Sequence, residues 1–164
     1  VVPKAMDLND INEVITAFAN AALRAIKAGF KVIEIHSAHG YLLHSFLSPL
    51  ANKRNDEYGG DIYGRMKLLL QVVDAVRDVI PEDTPLFCRI SAVDGLENGW
   101  EIDDSVVLAK KLEEHGVDVV DCSAGGISGA PLFRVNNSGK PMKTNMDRGP
   151  GFQVPYANEI REKS

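Results

Sequence analysis

The chain has little cysteine, no surplus of positive charge and no long apolar run. Its 164 residues carry 18 Lys and Arg against 23 Asp and Glu, a formal net charge of −5. This balance argues against nucleic acid as a partner, because no basic excess meets the phosphates. No apolar run approaches the roughly 20 residues that span a bilayer, and residues 1–7 do not resemble a signal peptide. We therefore expect neither a nucleic-acid nor a membrane partner.

The two cysteines, Cys88 and Cys122, each lie in an apolar run that is typical of a strand. Free, buried thiols in a reducing compartment are the simplest interpretation, and they make the cytoplasm the expected location. A disulfide requires that the two strands be neighbours with suitable side-chain directions.

Helical and strand-like patterns alternate along the chain. They predict helices over 7–28, capped by Asn9 or Asp10, over 64–80, from 103 or 104 to about 115, and over 154–163, with a helical turn over 41–50 that Pro49 ends. Strands are predicted over 30–35, 86–91 and 117–122. Loops are predicted over 51–61 and 123–150. This alternation indicates a parallel sheet with right-handed crossovers.

A repeated unit favours a barrel over a doubly wound sheet. In both 28–34 and 115–121, a helix-ending glycine is followed by an apolar strand with a polar residue at its tip. No GxGxxG follows a strand, which weakens the dinucleotide-binding alternative. The predicted fold class is α/β: a partial TIM (β/α)₈ barrel with about three parallel strands and flanking helices. We expect residues 1–164 to be one incomplete barrel domain, and the missing initiator methionine suggests a fragment or a processed product.

Two histidines and a tyrosine follow the first strand. His36, His39 and Tyr41 lie within six residues at a strand end, where parallel α/β proteins usually carry their chemistry. Two imidazoles can donate hydrogen bonds to one oxygen, and a phenol can deliver a proton. The alternatives are histidines satisfied by local backbone, a packing tyrosine, or a metal site with His44 as third ligand; no HExxH or Cys–His set supports the metal.

Three further features invite a functional interpretation. Arg89 lies inside an apolar strand and needs a partner, either a functional anion or a structural carboxylate. The loop 52–60 is solvated or braced by an Arg54–Asp56 contact. The small residues of 123–126 allow another group to approach the backbone closely, and they are a weak phosphate-loop signal.

Four stretches together resemble the old yellow enzyme family of flavin-dependent ene-reductases. They are EIHSAHGYLLHSFLSPLANKRNDEYGG, CRIS, NGWEIDDSVVLAKKLEEHGVDVVDCSAGG and GPGFQVPYANEIR, in the family's order and over nearly the whole chain. The His-x-x-His form resembles the bacterial-type branch. The resemblance implies FMN at the mouth of a (β/α)₈ barrel, NAD(P)H as reductant and an activated C=C bond, as in an enone, as substrate.

The same resemblance assigns roles to individual residues. His36 and His39 would hold the substrate's carbonyl oxygen, Tyr41 would be the proton donor, and Arg89 would lie beside the pyrimidine end of the flavin; no metal is implied. The segments that supply the family's other strands and its phosphate site are not in this sequence. The rival expectation is therefore a non-catalytic barrel fragment that associates with itself or with the missing portion.

Overall fold

The computed structural model describes residues 4–127 and 149–164. Its elements, in chain order, are α1 (Leu8–Lys27), β1 (Ile33–Ser37), α2 (Leu42–Leu47), α3 (Ile62–Arg77), β2 (Leu86–Ser91), α4 (Ile102–Glu114), β3 (Val119–Ser123) and α5 (Val154–Lys163). Every predicted helix and strand exists, and β2 and α5 have the predicted bounds. The part of the predicted 123–150 loop from 128 to 148 lies outside the described residues.

The N-cap of the first helix lies two or three residues before the expected ones. Asp7, not Asn9 or Asp10, is the N-cap, and its carboxylate accepts from the backbone N–H groups of Asn9 and Asp10. The Asp10 side chain in turn accepts from the Asp7 N–H, which completes a capping box. Asp10 therefore contributes to the cap as the third helical residue. A similar box joins Glu101 and Asp104 at the start of α4, which begins one or two residues before the predicted start.

The strands β1 and β3 begin later than predicted because their first apolar residues complete helix ends. Gly29 and Gly116 have φ values of +94° and +84°. The following N–H groups bond back into the preceding helices, from Phe30 to the Ala25 carbonyl and from Val117 to the Leu112 carbonyl. This is the Schellman pattern, in which an apolar residue after the glycine packs on the helix.

The three strands form one parallel sheet in the order β1-β2-β3. One face is buried against the helices and carries apolar residues such as Ile35, Cys88 and Ile90. The other face is the one that a closed barrel would enclose. It carries Glu34 and His36 on β1, Phe87 and Arg89 on β2, and Val119 and Asp121 on β3.

Both cysteines are free thiols. Cys88 is opposite Val120, and Cys122 is opposite Ile90, so the two side chains are offset along the neighbouring strands. Burial raises the pKa of both thiols, which keeps them protonated and unreactive. Within the part of the chain that the structure describes, every helix is too short or too polar to cross a membrane.

Candidate active site

A row of polar side chains crosses all three strands near their C-terminal ends. His36 on β1 is in register with Arg89 on β2, which is in register with Asp121 on β3. Parallel strands that pair in register present these three side chains on the same face of the sheet. The face is the one turned away from the helices, so the row is accessible to a ligand.

The turn after β1 brings His39 and Tyr41 back towards this row. His39 has a φ of +59° and Gly40 a φ of +77°, so the chain reverses over two consecutive left-handed residues. The His36 and His39 ring centroids are 5.2 Å apart, and those of His36 and Tyr41 are 5.4 Å apart. The two histidines thus lie on one side of the chain, with the phenol beside them.

Tyr41 is at the N-cap of α2 and is 66% exposed. Among the described residues its side chain is not part of the core, so the alternative of a tyrosine that serves only packing does not fit. Its phenol is free to approach a molecule bound against the two imidazoles. A general acid needs this kind of access to the atom that it protonates.

Serines at the ends of the other two strands hold His39. The backbone N–H of His39 donates to Ser91 Oγ at 3.0 Å, and the Ser91 hydroxyl donates to the Gly125 carbonyl at 2.7 Å. The His39 Nε2 lies 2.5 Å from Ser123 Oγ. Burial, followed by the nearby charges of His36, Arg89 and His44, lowers the pKa of His39. These effects favour the neutral imidazole.

The small residues after β3 serve a contact within the protein. A Cβ atom on Gly126 would lie 2.2 Å from the His39 Cα, and a Cβ on Gly40 would lie 2.4 Å from the Gly126 carbonyl oxygen. The group that approaches this backbone closely is therefore the His39–Gly40 turn. The absent side chains allow the loops after β1 and β3 to pack against each other across the end of β2.

Arg89 pairs with a structural carboxylate and has one N–H group without a partner among the described residues. One of its terminal nitrogens lies 3.1 Å from Asp121 Oδ2, and its side chain is 38% exposed. Its Nε is buried and has no hydrogen-bond partner among the described residues. A buried, unsatisfied guanidinium N–H suits an acceptor atom on a flat ligand laid on this face. The pyrimidine edge of a flavin presents acceptors of this kind, so the donor set fits the cofactor that the resemblance implies.

His44 is not available as a third metal ligand. Its Nδ1 accepts from the Gly40 N–H at 2.8 Å, and its Nε2 lies 2.9 Å from Asp94 Oδ1. Both ring nitrogens are therefore engaged inside the protein. Among residues 4–127 and 149–164, no three or more His, Cys, Asp or Glu side chains are grouped to hold a metal ion.

The loop 52–60 is braced as one alternative anticipated. Arg54 bonds Asp56 through two nitrogens at 2.9 and 2.5 Å, and it also donates to the Met6 carbonyl at 2.7 Å. The other charged side chains of the loop pair outside it: Lys53 donates to the Pro49 carbonyl, and Glu57 pairs with Lys67 on α3.

Comparison with known proteins identifies the family. The model of the "NADH:flavin oxidoreductase / NADH oxidase family" matches residues 1–147. The chain belongs to this family. An "NADPH dehydrogenase" from Geobacillus sp. (strain WCH70) is 47% identical over 162 residues, which are 99% of this chain and 43% of that protein.

Solved structures of the same kind share the architecture. The 2-naphthoyl-CoA reductase complex with 2-naphthoyl-CoA has a TM-score of 0.80 at 25% identity, covering 97% of this chain and 23% of the other. Morphinone reductase, an N189A mutant in complex with tetrahydroNAD, has a TM-score of 0.71 at 25% identity, covering 99% and 39%. Together with the three-stranded parallel sheet, these likenesses confirm the predicted partial barrel. The chain spans about two fifths of the length of the curated relatives it matches.

Sequence reasoning did not find the residues that support the site. No sequence motif predicts that Ser91 contacts His39, that Asp121 contacts Arg89 or that Asp94 contacts His44. The usable signal was positional: Ser91 and Ser123 end β2 and β3, and Asp121 is the polar residue at the tip of the repeated unit.

Proposed function

We propose that this chain forms the substrate-facing section of an FMN-dependent NAD(P)H oxidoreductase that reduces activated C=C bonds such as those of enones. The observation that carries the proposal is the grouping of His36, His39 and Tyr41 beside Arg89 at the strand ends, with ring centroids 5.2 and 5.4 Å apart. The names of the relatives, NADPH dehydrogenase and morphinone reductase, support the same chemistry. We further propose that residues 1–164 belong to one barrel domain.

In this proposal His36 and His39 keep their protons and donate hydrogen bonds, whereas Tyr41 gives its proton to the substrate. His36 and His39 donate hydrogen bonds to the carbonyl oxygen of the enone and stabilise the negative charge that develops there. The lowered pKa of His39 keeps its imidazole neutral, so it acts as a hydrogen-bond donor rather than as an acid. Tyr41 delivers a proton to the carbon next to the carbonyl. FMN, when bound and reduced by NAD(P)H, would supply the hydride for the other carbon of the C=C bond, the one farther from the carbonyl.

Arg89 would hold the cofactor at its pyrimidine edge. Its side chain lies on the face of the sheet that carries the row of polar residues, its Nε has no partner among the described residues, and one terminal nitrogen contacts Asp121. A fixed positive charge next to this edge stabilises a reduced, anionic ring. Arg89 would thus hold the ring near the strand end at which His36 lies.

A chimeric barrel tests the proposal in a complete fold. The matching segment of the Geobacillus NADPH dehydrogenase is replaced by these 164 residues, a substitution within 47% identity. We expect the purified chimera to carry FMN and to reduce cyclohexenone with NADPH. Changing His36 or His39 to Ala should weaken phenol binding by about 1–3 kcal/mol, because a buried acceptor loses its donor.

His115→Ala is the matched control, because His115 pairs with Asp74 at the α3–α4 surface, remote in the fold from the strand ends. A flavin-loaded chimera in which the His36 and His39 variants bind phenol as tightly as the His115 variant would contradict the assigned roles. A well-folded chimera without flavin or enone reduction would contradict the proposed activity itself.

A second candidate is a non-catalytic section that associates with itself or with a complementary part of the barrel. The specific observation is that β1 and β3 are both edge strands of the described sheet. Val119 on the open face is 41% exposed. Unpaired strand edges and uncovered apolar side chains favour association.

We also propose the partners and the location of the oxidoreductase. The substrate is a small enone-type molecule, the relevant partner chain is another copy of the protein, and the two free thiols favour the cytoplasm.

A further inference from the structure

The buried His44 contacts the backbone of the turn that carries His39 and Tyr41. The side chains of His44 on α2 and Asp94 in the β2–α4 loop are both fully buried. Asp94 accepts from His44 through Oδ1, and from the Ser48 hydroxyl and the Trp100 N–H through Oδ2, at 2.6 and 2.8 Å. The carboxylate is therefore fully satisfied by fixed donors.

The hydrogen bonds assign the tautomer of His44. Its Nδ1 accepts a hydrogen bond from the Gly40 N–H, so this nitrogen carries no proton. The ring proton is then on Nε2, which donates to Asp94. Asp94 accepts a hydrogen bond from the Nε2–H group of His44. This contact keeps the ring proton on Nε2 and leaves Nδ1 free to act as an acceptor.

The Gly40 N–H belongs to the turn that places two of the site's three rings. Gly40 stands between His39 and Tyr41, and it follows a residue with a φ of +59°. On its other side the turn is pressed against Gly126, with no room for a Cβ atom. The turn is thus held by steric contact on one side and by the Nδ1 acceptor on the other.

Core stability alone does not require this arrangement. Replacing both members of a buried hydrogen-bonded pair by apolar side chains of the same shape is often nearly neutral for stability. No apolar side chain can accept the Gly40 N–H, and an unpaired N–H in the interior is costly. The acceptor on Gly40 is what His44 provides and an apolar side chain cannot.

We propose that His44, oriented by Asp94, is a positioning residue that fixes the His39–Tyr41 turn so that both rings face the ligand. The effect on catalysis rests on the function proposed above. The effect on the turn does not, and it can be measured without activity.

A pair of variants at one position separates the two hydrogen bonds of His44. In His44→Asn the side-chain oxygen reaches the place of Nδ1 and keeps the acceptor for Gly40, while the contact to Asp94 is lost. In His44→Gln the side-chain amide N–H reaches the place of Nε2 and keeps the donor to Asp94, while the acceptor is lost. Each variant removes one hydrogen bond from the same buried site.

The first measurement is nuclear magnetic resonance of the 164-residue chain. In the unsubstituted chain we expect a coupling across the hydrogen bond between the Gly40 nitrogen and His44 Nδ1. In His44→Gln the Gly40 amide should exchange with solvent about tenfold faster or more, the equivalent of one lost hydrogen bond, and the ring contacts of His36 with His39 and Tyr41 should weaken. His44→Asn should restore both signals.

The second measurement uses the same variants in the chimeric barrel. His44→Gln should raise the KM for the enone several-fold, and His44→Asn should stay close to the parent. The proposal is overturned if the unsubstituted chain shows no coupling at Gly40, or if ring contacts and KM follow the unfolding midpoint of the variants rather than Gly40 protection. An inactive parent chimera contradicts the proposed function only, because the resonance measurements still decide the role of His44.

Discussion

Two residues of the candidate site, His39 and Arg89, are each held by a partner from another part of the chain. His39 contacts Ser123 through its ring and Ser91 through its backbone, and Arg89 contacts Asp121. Side chains held in this way lose little conformational freedom when a ligand binds, which favours binding and orientation. Tyr41, by contrast, is exposed at the start of α2.

Removing the Tyr41 hydroxyl tests the proposal that Tyr41 is the proton donor. In the chimeric barrel, Tyr41→Phe should slow enone reduction by about 10²–10⁴-fold, the usual loss when a general acid is removed. Reduction of the flavin by NADPH should keep its rate, because that step needs no proton from the phenol. Stopped-flow absorbance of the flavin separates the two half-reactions.

Tyr63→Phe is the matched control, since Tyr63 on α3 is similarly exposed, at 61% against 66%, and is remote in the fold from the rings. Equal slowing of both half-reactions by Tyr41→Phe, or slowing by both variants, would argue against a proton-donor role.

The lowered pKa of His39 predicts how stability depends on pH. In the unfolded chain this histidine titrates near its ordinary value of about 6.5, and in the folded chain it titrates lower, mainly because of burial. Between the two values the unfolded state binds more protons, so the free energy of unfolding should rise with pH through this window and level off above about 6.5. Urea unfolding at a series of pH values measures the slope.

His39→Asn removes the titrating group and keeps a polar side chain. The difference in unfolding free energy between parent and variant should therefore change with pH below about 6.5 and be constant above it. A difference that does not change with pH would show that the turn does not disfavour the charged imidazole.

At the level of elements, the site depends on two loops that pack backbone against backbone. The turn after β1 and the segment after β3 meet at Gly40 and Gly126 across the end of β2. These loops follow strands that are not neighbours in the sheet, so their contact is possible only because both strands pair with β2 in register.

Two glycines with similar backbone angles separate strain from contact. Gly126 and Gly29 have φ values of +104° and +94°, but a Cβ on Gly29 has nothing within 4 Å, whereas one on Gly126 meets the His39 backbone. Gly29→Ala should cost about 1 kcal/mol in unfolding free energy from backbone conformation alone. Gly126→Ala should cost about 1–3 kcal/mol more, because the loop must move.

Urea unfolding of both variants provides the comparison, and the resonances of the His39 ring report the loop movement. If the two variants lose the same free energy and His39 is undisturbed, the close approach of the loops does not contribute to the site.

For the molecule as a whole, the sheet is covered on one face and open on the other. Arg89 is the only Lys or Arg in the three strands, and Asp121 already neutralises part of its charge. The open face therefore offers a flavin ring one oriented cation but no second cation from the strands for its phosphate.

We expect the 164-residue chain alone to bind FMN weakly and to associate with itself. Titration with FMN followed by flavin fluorescence should show no saturation at micromolar concentration, because much of the charge-assisted binding energy of a phosphate is not supplied by these strands. Light scattering should give a mass above that of the monomer, because open edges and apolar side chains pair. Saturable micromolar binding by a monomer would contradict both expectations.

Much of the architecture is readable from local patterns. Periodic apolar residues and glycines after the helices predicted the elements and the parallel sheet, since helix ends and strand runs depend on neighbouring residues. The errors at Phe30 and Val117 have a local cause as well, because an apolar residue after a helix-ending glycine fits either a strand or a Schellman contact.

The sequence by itself determined the family, the order of elements and the candidate residues His36, His39, Tyr41 and Arg89. Only the tertiary structure decided what these residues touch. His39 and Ser123 are 84 positions apart and His44 and Asp94 are 50 apart. Their contacts depend on strand register and on the way two loops close over β2, and register is a property of paired strands that no single segment specifies.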